Sequence, residues 1–475
     1  MHPHEYSALD AVALRALIAS GDVQSTEVHA AARAAIASVN SELNALAAPL
    51  FDDALECDPT GSFRGIPFLL KDTGPLARHV GFTLGSRAIQ GAVALADHPL
   101  VSRFRSSGLS AIGLTATPEL SLNFATESVL RGVTRNPWSL DRGVGGSSGG
   151  AAALVAAGAI PLAHASDGAG SIRVPASACG LVGLKPGRGV TPSLPRAITA
   201  GRDVAVDFAL TRTVRDAAAM LDALSIDRPQ VPHADAMTTD PGRLRVAFTL
   251  GTCNESTDLT ELAIDPQVAA ATEAVARTLE WIGHTVDSAQ PAVRTELVIN
   301  AEMLAIYAAG AALLHAPRPP DASLLEAVSR LVLTESRNVT ASQLAVSTVS
   351  QIETTAVVDE FFERYDLLVT PTLATLPLRH GTLDYDSADY DSADYESGGV
   401  RSWLRRMFVF GPFTAAYNVT GHPAISLPLG ESDSGLPIGV QLVAGTGREN
   451  LLLQVAAQLE QVMPWSERQP SIFAD

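Results

Sequence analysis

Cysteine is scarce: the 475 residues hold three, Cys57, Cys179 and Cys253, far apart and odd in number. A disulfide framework is thereby excluded, and no CxxC or His/Cys cluster has the spacing of metal ligands. The expectation is a reduced, cytoplasmic protein with no metal. Basic residues are also short, 33 Lys and Arg against 51 Asp and Glu, for a formal charge of −18. A surface this acidic repels phosphate backbones, so no nucleic-acid partner is expected. The opening MHPHEYSALD lacks a basic segment followed by an apolar one, and no signal peptide is read there. The longest uncharged small-residue stretch, Gly149 to Ala165, contains Pro161 and His164. It reads as a buried helix followed by a strand and not as a membrane span. Aromatics are only 5%, yet 47% of residues are hydrophobic, many of them Ala, which favours close helix–sheet packing around a large core.

Periodicity organises the chain into an α/β layer structure. Residues 8–19 and 26–38 carry helical spacing and predict a helical hairpin over 7–40, with Ser7 and Asp10 as a variant capping box and Gly21 as a stop. The apolar runs GIPFLL (65–70), which ends at Lys71-Asp72, and LSAIGLT (109–115) suit strands buried on both faces. Residues 150–159 predict a helix and 161–165 a strand. Further helices are expected over 213–224, 266–283, most of 322–365 and from about Glu449 to Val462. Further strands are expected over 244–250, 366–373, 423–429 and 437–444, and 226–243 reads as a surface connection. One domain over 1–475 follows, with a helical elaboration at about 255–365. The tandem acidic repeat DYDSADYDSADYES (384–397) reads as a solvated loop or as a flap whose tyrosines touch substrate.

Chemistry concentrates between Arg142 and Pro186, RGVGGSSGGAAALVAAGAIPLAHASDGAGSIRVPASACGLVGLKP. A phosphate-binding P-loop fits poorly, because Ala151-Ala152 follow the glycines where Lys-Ser/Thr is needed. A nucleophile elbow matches formally at Gly145–Gly149, but that motif needs a strand running into the turn. The preceding NPWSLDRGV does not read as one, and His233, His284, His315, His380 and His422 have no distinguishing context. Cys179 sits among small apolar residues, which suits an inert buried thiol better than a nucleophile.

The same stretch closely resembles the amidase signature family. That family's GGSSGG loop, small-residue helix, (Thr/Ser)-Asp-x-Gly-Gly-Ser-(Ile/Val)-Arg turn and Cys-Gly-x-x-Gly-Leu-Lys-Pro run are matched at Gly145–Gly150, Ala151–Gly158, Ser166–Arg173 and Cys179–Pro186. Ser147 and Ser171 stand 24 residues apart, as the family requires, and Lys71 ends an apolar strand before Asp72. Pro118-Glu119, RNPW (135–138), NVTGHPAISLP (418–428) and GLPIGVQ (435–441) extend the likeness over most of the chain. Three positions depart from it: Ala169 replaces a glycine of the turn, and Leu114 and Ala116 stand where many members have Lys and Asn. The pattern is similar to amidases that act on nylon oligomers.

The resemblance implies an amidase-signature fold, a mixed central β-sheet covered by helices on both faces. It also implies an acyl-enzyme mechanism: Ser171 as nucleophile, Ser147 as proton relay after a cis bond to Gly146, and Lys71 as base. Lys71 must be neutral for this. Its ordinary pKa is about 10.4, and burial at the end of an apolar strand disfavours the ammonium. On the residues alone, Lys71 is as well read as an ion pair with Asp72, and Ser147 and Ser148 as helix caps. Gly168, Ala169 and Gly170 are expected to aim backbone N–H groups at an oxyanion. Ser148 is expected to support the network. Asp167 and Arg173 either pair to hold the turn or leave Arg173 at the surface. A small-molecule amide substrate, no cofactor, and a monomer or homodimer complete the expectation. The alternatives are a carbamate or ester hydrolase using the same residues, and a glutaminase-type subunit of a tRNA-dependent amidotransferase. Pocket walls are expected near 300–345 and 384–415.

Overall fold

Burial on both faces is what the apolar runs of the sequence require, and the computed structural model provides it. It describes residues 1–74, 76–192, 204–251, 263–316, 318–387 and 399–474. Ten strands position the site: β1 Ile66–Lys71, β2 Leu109–Thr115, β3 Leu162–Asp167, β4 Val182–Lys185, β5 Val206–Thr211, β6 Arg245–Phe248, β7 Thr285–Ser288, β8 Leu367–Pro371, β9 Ala424–Glu431 and β10 Pro437–Ala444. Eight of them form one sheet in the order β7-β6-β8-β10-β9-β4-β5-β3. The sheet is mixed: β6 runs parallel to β7 and β8, and the other pairs are antiparallel. Every residue of β8 and β10 is buried, so helices cover both faces. Helices Pro266–Trp281, Arg173–Cys179 and Glu449–Val462 pack on its centre.

Strands β1 and β2 form a separate parallel pair, with Lys71 opposite Thr115. This pair lies beside β3, the edge of the large sheet, with no backbone ladder between them. The N-terminal helices Ala11–Ser20 and Ser25–Leu43 occur as expected, and Gly21 ends the first with φ 81°. The cap differs. Asp10, not Ser7, accepts from Ala13 N, because Ser7 closes an earlier short helix, Pro3–Ser7. The segment before the serine loop also departs from expectation: Ser139–Gly143 is a strand, laddered with Arg135–Asn136 and bridged at Arg142 to Arg379. It stands outside the main sheet, so it does not build an elbow.

Among the described residues, helices Pro99–Ser106, Arg173–Cys179, His233–Ala236, Gly399–Phe410 and Ala415–Thr420 escaped the periodicity reading. Helix Thr295–Leu314 falls inside the expected helical elaboration. It is long and apolar enough to cross a membrane, with mean hydropathy 1.8, but 67% of that window is buried within the protein. It packs on helices Ala327–Arg337 and Ala341–Arg364, the role of a core helix. Of the acidic repeat, residues 388–397 lie outside the described residues. In the part before them Asp384 is exposed, while Tyr385 is 2% exposed, edge-on to Trp403, and its hydroxyl accepts from Ser329.

Helix Gly149–Ala156 begins with two glycines, where propensity alone favours alanine by about 1 kcal/mol. Contact reverses that preference at Gly150. A Cβ there would meet Ala45 O at 2.4 Å and Ala116 N at 2.5 Å, two atoms already hydrogen-bonded to each other. Gly150→Ala is therefore expected to destabilise the protein by about 1–3 kcal/mol, an overpacking cost. A urea titration checks it: the midpoint should fall, and a raised midpoint would mean that helix propensity, not contact, governs this position.

Candidate active site

Lys71 is carried inward by the last residue of β1 and is 0% exposed. Its Nζ lies 2.8 Å from Ser147 Oγ and 2.8 Å from Ser166 Oγ. The ion pair with Asp72 does not form. Asp72 instead accepts from Thr83 N at 2.9 Å, from the Thr83 hydroxyl and from Leu84 N. Lys71 is thus fully buried with two hydroxyls at its tip.

Ser147 sits in the tight loop ahead of helix Gly149–Ala156, and its bond to Gly146 is cis, as the resemblance implies. The loop is walled by Asn123, Phe124 and Ala125. Ser148 occupies the N-cap position but makes no capping bond. Its Oγ instead accepts from Ser166 N at 3.3 Å and donates to Ser166 O at 3.3 Å. Ser148 thus ties the serine loop to the end of β3. Ser166 was not singled out from the sequence. The available signal was its position, the hydroxyl residue that opens the (Thr/Ser)-Asp turn.

The second loop runs from Asp167 to Ser171. Asp167 and Arg173 are both fully buried and paired, so a surface role for Arg173 is ruled out. Arg173 Nε and Nη2 reach the two Asp167 oxygens at 3.0 and 2.9 Å. Its remaining donors go to Thr414 O, Gln441 Oε1 and Asn418 Oδ1 at 2.9, 2.7 and 2.6 Å. Burial works to raise the Asp167 carboxyl, but the guanidinium outweighs it and holds the group at about 2. Asp167 also accepts from Ile172 N at 3.1 Å, which closes the turn.

Inside that turn, the amides of Gly168, Ala169, Gly170 and Ser171 donate to no protein acceptor among the described residues. Four successive free N–H groups are what an oxyanion site needs. Gly170 has φ +144°, and a Cβ on it would meet Thr414 Oγ1 at 2.4 Å. Thr414 Oγ1 donates to Ala169 O at 2.6 Å and so clamps the turn from outside. Ala169 in place of glycine is accommodated because the left-handed strain falls on Gly170. Ser171 is 7% exposed, and its hydroxyl bonds to no described residue. Lys71 and Ser147 are thus in direct contact, while Ser171 is not hydrogen-bonded to Ser147. Phe408, on helix Gly399–Phe410, meets Phe124 with ring centroids 6.5 Å apart, so the 384–415 region does reach the serine loop.

The rejected nucleophile stays rejected. Cys179 is buried, and burial pushes its thiol well above the ordinary range. Among the described residues, no group of three His, Cys, Asp or Glu side chains could hold a metal ion.

The amidase family profile matches residues 23–453. The chain is 36% identical to the 6-aminohexanoate-cyclic-dimer hydrolase of Paenarthrobacter ureafaciens, over 98% of this chain and 97% of that one. It is equally 36% identical to the putative amidase AmiC of Mycobacterium tuberculosis (strain ATCC 25618 / H37Rv), over 96% and 95%. A solved 6-aminohexanoate cyclic dimer hydrolase complexed with substrate superposes with a TM-score of 0.88 at 34% identity, covering 98% of this chain and 99% of that one. A bacterial aryl acylamidase shares the fold at a TM-score of 0.80 and 24% identity, covering 97% of each chain. This chain therefore belongs to the amidase family, hydrolases of carbon–nitrogen bonds other than peptide bonds.

Proposed function

We propose that the protein hydrolyses a small amide through an acyl-enzyme on Ser171, with Ser147 and Lys71 as the proton path. One observation carries this reading: Lys71 Nζ lies 2.8 Å from Ser147 Oγ at a fully buried position, beside a turn of free amides that ends in Ser171. A hydroxyl attacks an amide only if its proton leaves as it does so. Here the Ser171 proton passes to Ser147 Oγ while the Ser147 proton passes to the neutral Lys71 amine. Closing the link from Ser171 to Ser147 belongs to the substrate complex, since catalytic hydrogen bonds commonly tighten only there.

The tetrahedral oxyanion then falls among the amides of residues 168–171, each donor being worth about 3 kcal/mol. Lys71, now an ammonium, returns its proton through Ser147 to the leaving amine. Water attacks the ester by the same path in reverse. The relatives point to the substrate class, short amides of an unbranched ω-amino acid such as 6-aminohexanoate.

Ser171→Ala is expected to lower kcat by about 10⁴-fold or more on 6-aminohexanoate cyclic dimer and on p-nitroacetanilide, followed as amine release. The wild-type rate should rise with pH along one limb, because only the neutral Lys71 accepts a proton. Lys71→Ala should abolish that limb together with most activity. Wild-type turnover in either variant would dismiss the mechanism.

Asp167→Asn leaves the Arg173 guanidinium buried without its counter-charge. A stability loss of about 3–5 kcal/mol is expected by chemical denaturation. The wild-type Asp167 carboxyl is held below its unfolded value. Its contribution is therefore complete above about pH 4 and is lost as pH falls toward about 2. The stability difference between wild type and variant should narrow over that window; a constant difference would count against the ion pair.

A further inference from the structure

His164 and Asp207 form a buried acid–imidazole pair that the proposed proton path does not use. His164 is 0% exposed and Asp207 3%. The His164 Nε2 lies 3.2 Å from Asp207 Oδ1, and the Lys71 backbone N–H donates to His164 Nδ1 at 3.1 Å. The second bond decides the tautomer. Nδ1 accepts, so the ring proton is on Nε2 and is donated to Asp207. An imidazolium would set one N–H against another.

The placement is specific to Lys71. On the antiparallel pair β3–β5, Ser166 stands opposite Asp207 and His164 opposite Ala209. His164, Ser166 and Asp207 therefore project from one face of the sheet. Two residues of β3 two apart grip one lysine at both ends: His164 takes its backbone N–H, and Ser166 touches its ammonium-side nitrogen. No backbone ladder joins β1 to β3, so the imidazole stands where a strand carbonyl would otherwise accept. It stitches the strand that carries the base to the strand that leads into the Ser171 turn.

We propose that His164, fixed in one tautomer by Asp207, is a positioning residue that sets Lys71 against the hydroxyls of Ser147 and Ser166. The inference rests on the Ser171–Ser147–Lys71 reading. The other groups facing the pair are few. His98, the N-cap of helix Pro99–Ser106, interacts with both, and burial holds it below the usual histidine range, so it is neutral. Phe104 of the same helix meets the His164 ring edge-on at 5.4 Å. Asp207 is thus the carboxylate set beside this imidazole.

The test is the rate at which an alkyl fluorophosphonate labels Ser171, measured against pH on the full-length protein. In that reaction the Ser171 Oγ–P bond forms and the P–F bond breaks. Fluoride leaves, and the serine proton passes through Ser147 to Lys71. His164→Leu removes the acceptor and should slow labelling about 10- to 100-fold, the scale of a misplacement near 1 Å. His164→Asn keeps an oxygen close to the Nδ1 position and should stay within about threefold of wild type. In Asp207→Asn the amide oxygen still accepts from Nε2, but the charge is gone. Neutral Lys71 becomes easier to reach, so the rising limb should move to lower pH by about half a unit or more. A purely structural role would cost stability in these variants and leave the limb in place. A wild-type protein that is not labelled at Ser171 refutes the serine mechanism itself. Labelled wild type with an unmoved limb in Asp207→Asn overturns the positioning role, whether or not the leucine variant folds. A wild-type rate in His164→Leu overturns it equally.

Discussion

A lysine with no water around it is the constraint on which this site depends. An ammonium loses solvation that hydroxyl groups only partly replace, whereas a neutral amine loses little. Lys71 meets two serine hydroxyls at 2.8 Å, and the neighbouring carboxylate, Asp72, is turned away to Thr83 and Leu84. Had Asp72 faced the amine, it would have favoured the charged form. The strand, the cis loop and the end of β3 together hold this amine against two hydroxyls, out of reach of bulk solvent.

The protein handles its other buried cations by different physics. Arg173 cannot shed its charge, so it is given a carboxylate and a partner for each of its five donors. Such a pair gains little net stability over an apolar core, but it fixes geometry, because breaking it is costly. Here the geometry fixed is that of the turn between Asp167 and Ser171. Lys185 takes a middle course: burial draws its amine down to about 7, and it donates to Pro186 O at 2.9 Å. The cation that cannot discharge is the one given a full set of partners.

Much of the site was legible because catalysis here uses rare local patterns. Two Ser/Gly loops 24 residues apart and a lysine at a strand end are improbable together, and Lys71 and Ser147 do meet in space. What sequence could not show was orientation. Ser148 reads as a helix cap or as a support of the network, and only the structure shows it bonded to Ser166. Arg173 reads equally well as buried or exposed until Asn418 and Gln441, far along the chain, are seen around it. In the fold, most amphipathic helices and the longer apolar runs followed their periods, while the buried strands Val182–Lys185 and Val206–Thr211 were not read. Helix Arg173–Cys179, buried at every residue, has no polar face to give it a period, and contains Pro175. The Ser139–Gly143 strand is polar and pairs outside the main sheet, so alternation gave no signal. His164 was not singled out from the sequence, because its partners arrive from two other strands.

The reach of Arg173 has a bearing on how the enzyme comes into being. Its partners Thr414, Asn418 and Gln441 lie in the last seventy residues, separated from it by up to 268 positions. Signature loops that leave the ribosome early therefore have no frame to settle into until nearly the whole chain has emerged. Loop closure over such spans is slow compared with local helix formation. A nascent chain still missing β10 therefore carries the Asp167–Ser171 turn without the Gln441 contact that holds Arg173 behind it.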